Sequence, residues 1–514
     1  MIAVNGSVEV IVERVQRIAI VGGGTTGWLA AATLGRVLSP SCYRILVIDS
    51  ANYERGGFSE VALPSFHRLN QLLGINEHDL LQKTRGTFRL GARFANWGAP
   101  GERYFHAFGS LGAKLEAVPF HHYWLKLRRL GERFALEDYS TAAVAAKQSR
   151  FAPPVPDRSS VLSLYSYGYH FQAASLASYL RQYAQAHGVT RNDRRVVEVQ
   201  LRGEDGFIDA LLMEDGTRIS ADLYIDCTGV CAMLARQALD MGYQDWSPWL
   251  PCDRFVSVPC ASSVDPAPYS ESSAEATGWR RRVPLQHCTD DGFAYSSRHI
   301  SDDEATGTLL AGLSGEALVE PSLMRLTRSC PTRFWNKNCI ALTGGNPEPL
   351  EHTGLHLVQT GIARLVTLFP VSRNSPPDIE EYNRLTGMEH ERIRDFLILR
   401  YKCTQRADSP FWESCRDMQV PETLRRKIEL FHRCGRVAMF EEEHFGEDSW
   451  LAVLLGQNID PMDYDPLADV LDVSEVKVAL AQMRTMIKEG VDTLPTHARY
   501  LQQHCRATPG GSCT

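Results

Sequence analysis

Residues 22–27 read Gly-Gly-Gly-Thr-Thr-Gly, directly after the apolar run of residues 18–21 and directly before a stretch whose apolar side chains recur at helical spacing. This order of strand, tight turn and helix constrains the chain most, because it is how a doubly wound α/β nucleotide-binding unit begins. Each glycine has its own task there: Gly22 permits the turn, Gly24 lets backbone approach a pyrophosphate, and Gly27 lets helix pack on strand. Thr25 and Thr26 fall in the first helical turn, whose free amides favour anions. A second apolar run, residues 43–48, ends in Asp49, about 20 residues beyond Gly27, where the fold places an acid against ribose hydroxyls. A glycine cluster alone is also compatible with a turn that binds nothing. With the strand, the helix and Asp49 around it, the spacing predicts an adenine dinucleotide site. Residues 221–229, ADLYIDCTG, predict a later strand and glycine turn returning to the same sheet, with Val196 on a strand before it.

Composition narrows the class further. The 514 residues carry 54 basic and 61 acidic side chains, a formal charge of −7, which is the wrong sign for a protein that neutralises phosphate backbones. Nucleic acid is therefore not expected as a partner. The one long apolar stretch, residues 18–38, contains the glycine cluster, so no membrane span is expected either. Thirteen cysteines without a CxxC pair indicate neither a zinc site nor a disulfide framework, and the first residues lack a signal-peptide core; a cytoplasmic setting is expected. No metal is expected: His121-His122 and Glu441 to His444 are runs of neighbours, which seldom converge on one ion. Residues 261–277, small, polar and proline-bearing, read as a surface loop. A proline-rich break at residues 370–378 divides a sheet-rich part, residues 1–375, from a helical part, residues 376–514. Within the latter, Asp472 and Glu475 have the spacing of a capping box for a helix running to about residue 489.

Several segments together resemble the flavin-dependent tryptophan halogenase family: GGGTTGWLAA, SEVALPSFHRLNQLLGI, GTFRLGARFANW, YGYHF, DCTG, GWRRRVPL, NCIAL, PLEHTG, and EEEHFGEDSWLAVLLGQNIDP with LPTHARYLQQ near the end. They occur in the family's order across nearly the whole chain. The resemblance implies an FAD-binding, glutathione-reductase-type domain with a second sheet, joined to a helical substrate-binding domain. It also implies reduced FAD from a separate flavin reductase, a halide ion, and electrophilic halogenation of an electron-rich aromatic such as an indole or phenol. A homodimer is compatible with such an enzyme. Carried over by position, Glu60 falls at the flavin-contacting glutamate, Thr353 and Gly354 at the halide site, and Glu351 at the catalytic glutamate. Thr343 and Gly344 begin the loop that lines flavin and halide.

Three positions depart from the family pattern. The family's lysine is Arg89, which stays charged and offers hydrogen bonds but no nucleophilic amine; it either steers an oxidant or forms an ion pair, with Glu351 as a candidate partner. The Trp-x-Trp-x-Ile-Pro motif reads Trp279-Arg-Arg-Arg-Val-Pro284, so an aromatic wall becomes cationic; Arg281 either opens that wall or closes it by pairing with an acid, while Arg280 and Arg282 suit a solvated edge. The loop from Thr343 to Glu348 is about two residues shorter than the family's, which shifts amides expected near halide. Two other functions stay open on these grounds, a flavin monooxygenase without halide use and a flavin-binding relative without turnover.

Overall fold

The computed structural model describes residues 14–50, 58–262, 264–343, 348–370 and 375–507. The first apolar run is a strand, β1 (Arg17–Val21), followed by a helix, α1 (Thr25–Val37), and a parallel strand, β2 (Arg44–Ile48). β1 is central in a six-stranded sheet, with β2 and then Thr190–Asn192 on one side, and Leu223–Asp226, Cys339–Ala341 and Trp335–Asn336 on the other. All pairings in it are parallel except the last. β1 is therefore buried on both faces, which accounts for its unbroken Ile-Ala-Ile-Val run. α1 is apolar almost all round because it lies against the helices Ala173–Ala186 and Gly354–Thr367, and its alanines let them approach closely.

A second, seven-stranded sheet runs in the order Ser322–Arg325, Arg254–Ala261, Cys288–Tyr295, Gly278–Pro284, Ser270–Glu275, Gly91–Ala95, Arg103–Ala107. This corrects the surface loop expected at residues 261–277, since Ser270–Glu275 is an interior strand paired on both sides. Its small polar residues hide the period of two: Ser270, Ser272 and Ala274 are buried, and the residues between them are half-exposed. A third sheet is antiparallel, Ser59–Ala62 and Thr87–Arg89 flanking Gly168–Gln172.

Beyond residue 375 the described regular elements are helices, led by Pro376–Lys402 and closed by Val473–Asp492 and His497–His504. The capping box at Asp472 and Glu475 forms as expected. These helices are packed into the rest of the chain: Val473–Asp492 lies on Phe120–Arg129 and Thr141–Lys147, and Glu447–Gly456 lies on the strand Arg103–Ala107. No helix among the described residues is long and apolar enough to cross a membrane. Of the described cysteines, Cys42 and Cys231 are exposed and Cys434 is half-buried, while the others are buried. Burial holds the thiols of Cys227, Cys252 and Cys339 well above the ordinary range.

Candidate active site

The glycine turn is built as its sequence requires. Gly22 has φ +113°, and a Cβ there would lie 2.2 Å from the Cys227 carbonyl oxygen. A Cβ on Gly27 would lie 1.8 Å from the Gly22 carbonyl oxygen, whereas one on Gly24 would meet nothing within 4 Å. The open side of Gly24 and the uncapped start of α1, which has no acid in its first turn, fit the pyrophosphate of FAD. Asp49 accepts a 2.9 Å hydrogen bond from Arg191 Nε through Oδ2, and Oδ1 lies beside Gly23. Val196 is buried among Ala19, Val21 and Ile48 beneath this end of the sheet. Asp226 ends the DCTG strand fully buried and accepts from the amides of Leu234 and Ala235, pinning the turn that follows. Thr343 Oγ1 accepts from the Gly229 amide at 3.0 Å, and Gly344 lies outside the described residues.

The small antiparallel sheet joins this loop to Arg89. Glu60 pairs with Phe171 on one side of the central strand; Thr87 and Arg89 pair with His170 and Gly168 on the other. Glu60 is hydrogen-bonded by Thr25, and burial raises its carboxyl against the pull of Thr25 and Arg281. Arg89 is fully buried, and its Nε donates to Ser270 Oγ at 2.7 Å. Ser270 Oγ lies 3.2 Å from His170 Nε2, His170 Nδ1 lies 2.8 Å from Thr87 Oγ1, and Thr87 donates to the Pro284 carbonyl. Each donor finds one acceptor if His170 carries its proton on Nδ1, so the run of bonds has a single direction from Arg89 to the backbone. The two terminal nitrogens of Arg89 have no partner among the described residues, and the guanidinium sits 4.8 Å from the Phe108 ring centre. Burial pushes Arg89 down to about 9, which leaves it charged at neutral pH.

The proposed pairing of Arg89 with Glu351 does not form. Glu351 is fully buried and its carboxylate is taken by Arg400, with His106 Nδ1 at 3.2 Å on the other side. Arg400 is itself fully buried, donates to the Phe396 carbonyl and lies between the rings of Phe94 and Phe396. His352 follows Glu351 at φ +57°, a left-handed turn that leads into Thr353 and the helix Gly354–Thr367. That helix start has no side-chain cap, and Thr353 Oγ1 is buried without a partner among the described residues. His106, His170 and His352 are all held well below the usual imidazole range, chiefly by burial and further by Arg400 or Arg89. They are neutral, so none of the three changes the net charge around Arg89.

The arginine stretch is less solvated than its sequence suggests. Arg281 is buried, bonds Asp290 at 2.6 Å and lies 4.8 Å from the Phe255 ring centre, which closes the altered wall through an ion pair. Arg280 and Arg282 are corrected from solvated edges: Arg280 donates to the carbonyls of Gly312 and Thr308 at the end of the helix Asp302–Ala311, and Arg282 bonds Asp291 and Gly312. Lys83 does not stand in for the missing lysine, being turned outward to Asp79. Tyr167 and Tyr169 hydrogen-bond Glu77, and Tyr169 and Phe171 pack against Phe66, so of that strand only His170 faces the Arg89 chain of bonds. Among the described residues no three metal-binding side chains converge; His121 is spent on the Gly435 carbonyl, and Glu441, Glu442 and Glu443 pair with Arg384, Arg364 and Lys427.

Glu348, at the end of the short loop, is a further buried acid. It accepts from Tyr401 Oη at 2.5 Å, and burial pushes its carboxyl up to about 8. Because the folded chain holds this proton more tightly than the unfolded chain, the group favours folding most below its ordinary value of 4.5, and that contribution is lost as pH rises to about 8. Glu348→Gln keeps an acceptor for Tyr401 and removes the titration. Urea unfolding at several pH values should show the variant gaining on the parent by up to about 1.4 kcal/mol per pH unit across that window.

The structure closely resembles solved flavin-dependent halogenases. BrvH from Brevundimonas sp. BAL3 is 38% identical, superposes with a TM-score of 0.91, and the match covers 95% of this chain and 99% of that one. A flavin-dependent halogenase from Xanthomonas campestris is also 38% identical, with a TM-score of 0.93 over 97% of this chain and 100% of that one. The tryptophan 6-halogenase SttH from Streptomyces toxytricini is 26% identical with a TM-score of 0.87, over 95% of this chain and all of that one. The tryptophan halogenase family model matches residues 17–473. With this geometry and these matches, the chain belongs to the tryptophan halogenase family, whose members are flavin-dependent enzymes that use FAD and halide.

Proposed function

We propose that this chain halogenates an electron-rich aromatic ring, an indole or phenol, in the cytoplasm, with residues 1–375 holding flavin and halide and residues 376–514 supplying most of the substrate wall. When bound, FAD supplied in reduced form by a separate reductase provides the oxidising equivalents, through oxygen, that turn halide into hypohalous acid. The Gly22 to Gly27 turn, Asp49, Glu60, Val196, Thr343 and Gly344 would hold the cofactor, and Thr353 with Gly354 would hold the halide. Arg89 would donate its two terminal N–H pairs to the oxidant, and Glu351 with the groups around it would form the acid–base end of the site.

The observation that carries this reading is Arg89: a fully buried guanidinium with both terminal nitrogens unpartnered among the described residues, close to Phe108. A buried donor without a partner costs stability, and one aimed at a transient anion or oxyacid repays that cost in rate. The test is to supply the protein with a flavin reductase, FAD, NADH, oxygen and bromide over a panel of indoles and phenols. Products with the paired bromine isotope pattern support the reading. Oxygen incorporation without bromine selects the monooxygenase. Tight flavin binding without any product selects the relative without turnover.

A further inference from the structure

We infer that the group taking the proton from the halogenated ring is His106, through Nε2, with Glu351 acting behind it as a positioning residue. This deepens the proposed function and rests on it. His106 lies on the edge strand Arg103–Ala107, and is fully buried. Its Nδ1 faces both oxygens of Glu351, at 3.3 and 3.2 Å. Two acceptors at that distance would repel, and both oxygens lie nearer than the Arg400 terminal nitrogen, which is 3.5 Å from Nδ1, so Nδ1 carries the hydrogen and donates it to the carboxylate. Nε2 is then a bare lone pair, and it has no partner among the described residues.

The carboxylate is the more fully engaged of the two. Arg400 binds Glu351 directly, and the Arg400 guanidinium is fixed by the Phe396 carbonyl and by two aromatic rings. A carboxylate held by a guanidinium on one side and an imidazole on the other is not free to turn toward a substrate ring. It is well placed instead to fix the imidazole tautomer and to stabilise the imidazolium that proton transfer creates, the task an orienting acid has beside a histidine base. Burial keeps His106 neutral before the reaction, so its lone pair is available. Phe108, Phe396 and Phe445 pack around the imidazole, with centres 5.6 to 6.2 Å from its own, and hold its plane in place.

The step balances. The ring's electron pair attacks the halogen of hypohalous acid, forming the carbon–halogen bond and breaking the oxygen–halogen bond. The departing hydroxide takes a proton from solvent to become water, which the ring proton released later replaces. The carbon–hydrogen bond then breaks, its electrons return to the ring, and the proton passes to Nε2, from which it reaches solvent before the next turnover.

The experiment compares the parent with His106→Asn, whose amide nitrogen can still donate to Glu351 while no base remains at the Nε2 position. With an indole as probe, the variant should keep its FAD affinity and unfolding midpoint and lose roughly 100-fold or more in kcat. Ring-deuterated indole should react at the same rate as ordinary indole in the parent, where the preceding electrophilic attack limits the rate, and more slowly in the variant. Added imidazole should restore part of the rate to His106→Gly. Retention of activity by His106→Asn within about threefold, with no isotope effect, would overturn the inference, as would a loss that neither brings an isotope effect nor yields to imidazole. If the parent itself gives no halogenated product, the proposed function has failed and this inference with it, an outcome distinct from a parent and variant that both halogenate.

Discussion

Arg89→Met should nearly abolish halogenation while making the protein harder to unfold. The side chain is fully buried and, among the described residues, has Ser270 as its one side-chain hydrogen-bond partner and no carboxylate in an ion pair with it. Such a charge is held at the expense of stability: even a buried ion pair is commonly matched or bettered, by about 1–4 kcal/mol, when apolar side chains of similar volume replace it. The same substitution removes the two N–H donors proposed to hold the oxidant, and losing preorganised donors of this kind costs about 100- to 1000-fold in kcat. Urea unfolding and bromination of an indole, measured on one preparation with FAD affinity as the control, check both signs. A variant as active as the parent, or one destabilised by several kcal/mol, would show that Arg89 is a structural cation. Arg89→Lys is the companion measurement: burial disfavours the charged form of lysine, so a neutral amine becomes available at this position.

Arg400 should behave in the opposite way, although it too is a fully buried arginine. Arg400→Gln leaves the Glu351 carboxylate in the interior with only a neutral imidazole beside it, and breaking a buried pair from one side costs about 3–5 kcal/mol. The variant should therefore lose activity together with stability, which bromination of an indole and urea unfolding on one preparation check. Glu351→Gln combined with Arg400→Gln removes both charges, and it should be less destabilised than the sum of the single changes. A strictly additive double variant would mean that the two side chains do not depend on one another. The contrast between Arg89 and Arg400 comes from their partners alone, since both are equally hidden from water.

Much of the nucleotide site was legible because it is local. A strand, three spaced glycines, a helix and an acid about 20 residues on are set by consecutive sequence, and β1, α1 and β2 form where that pattern puts them. The interior strand Ser270–Glu275 was hidden because serines at its buried positions resemble the composition of a loop. The chemical end of the site was hidden for a different reason. Glu60, Arg89 and His170 meet only because three short strands far apart in sequence pair, and no periodicity specifies that pairing. His106 carried no local signal. Arg400 did: it interrupts the wholly buried apolar run Phe396 to Tyr401 of the helix Pro376–Lys402, and a cation in such a run needs a partner. The run points to the existence of an anion but not to its identity, so in sequence Glu351 is equally open as a candidate partner for Arg89.

An enzyme that manufactures an electrophilic halogen carries its most vulnerable targets in its own body, for sulfur reacts with such species faster than most biological nucleophiles do. Attack on a cysteine follows its fraction of thiolate and its accessibility. The interior cysteines are denied both, since low polarity keeps them as thiols and packing shuts out the reagent. Among the described cysteines, escaping oxidant therefore meets Cys42 and Cys231 first, because these two are exposed.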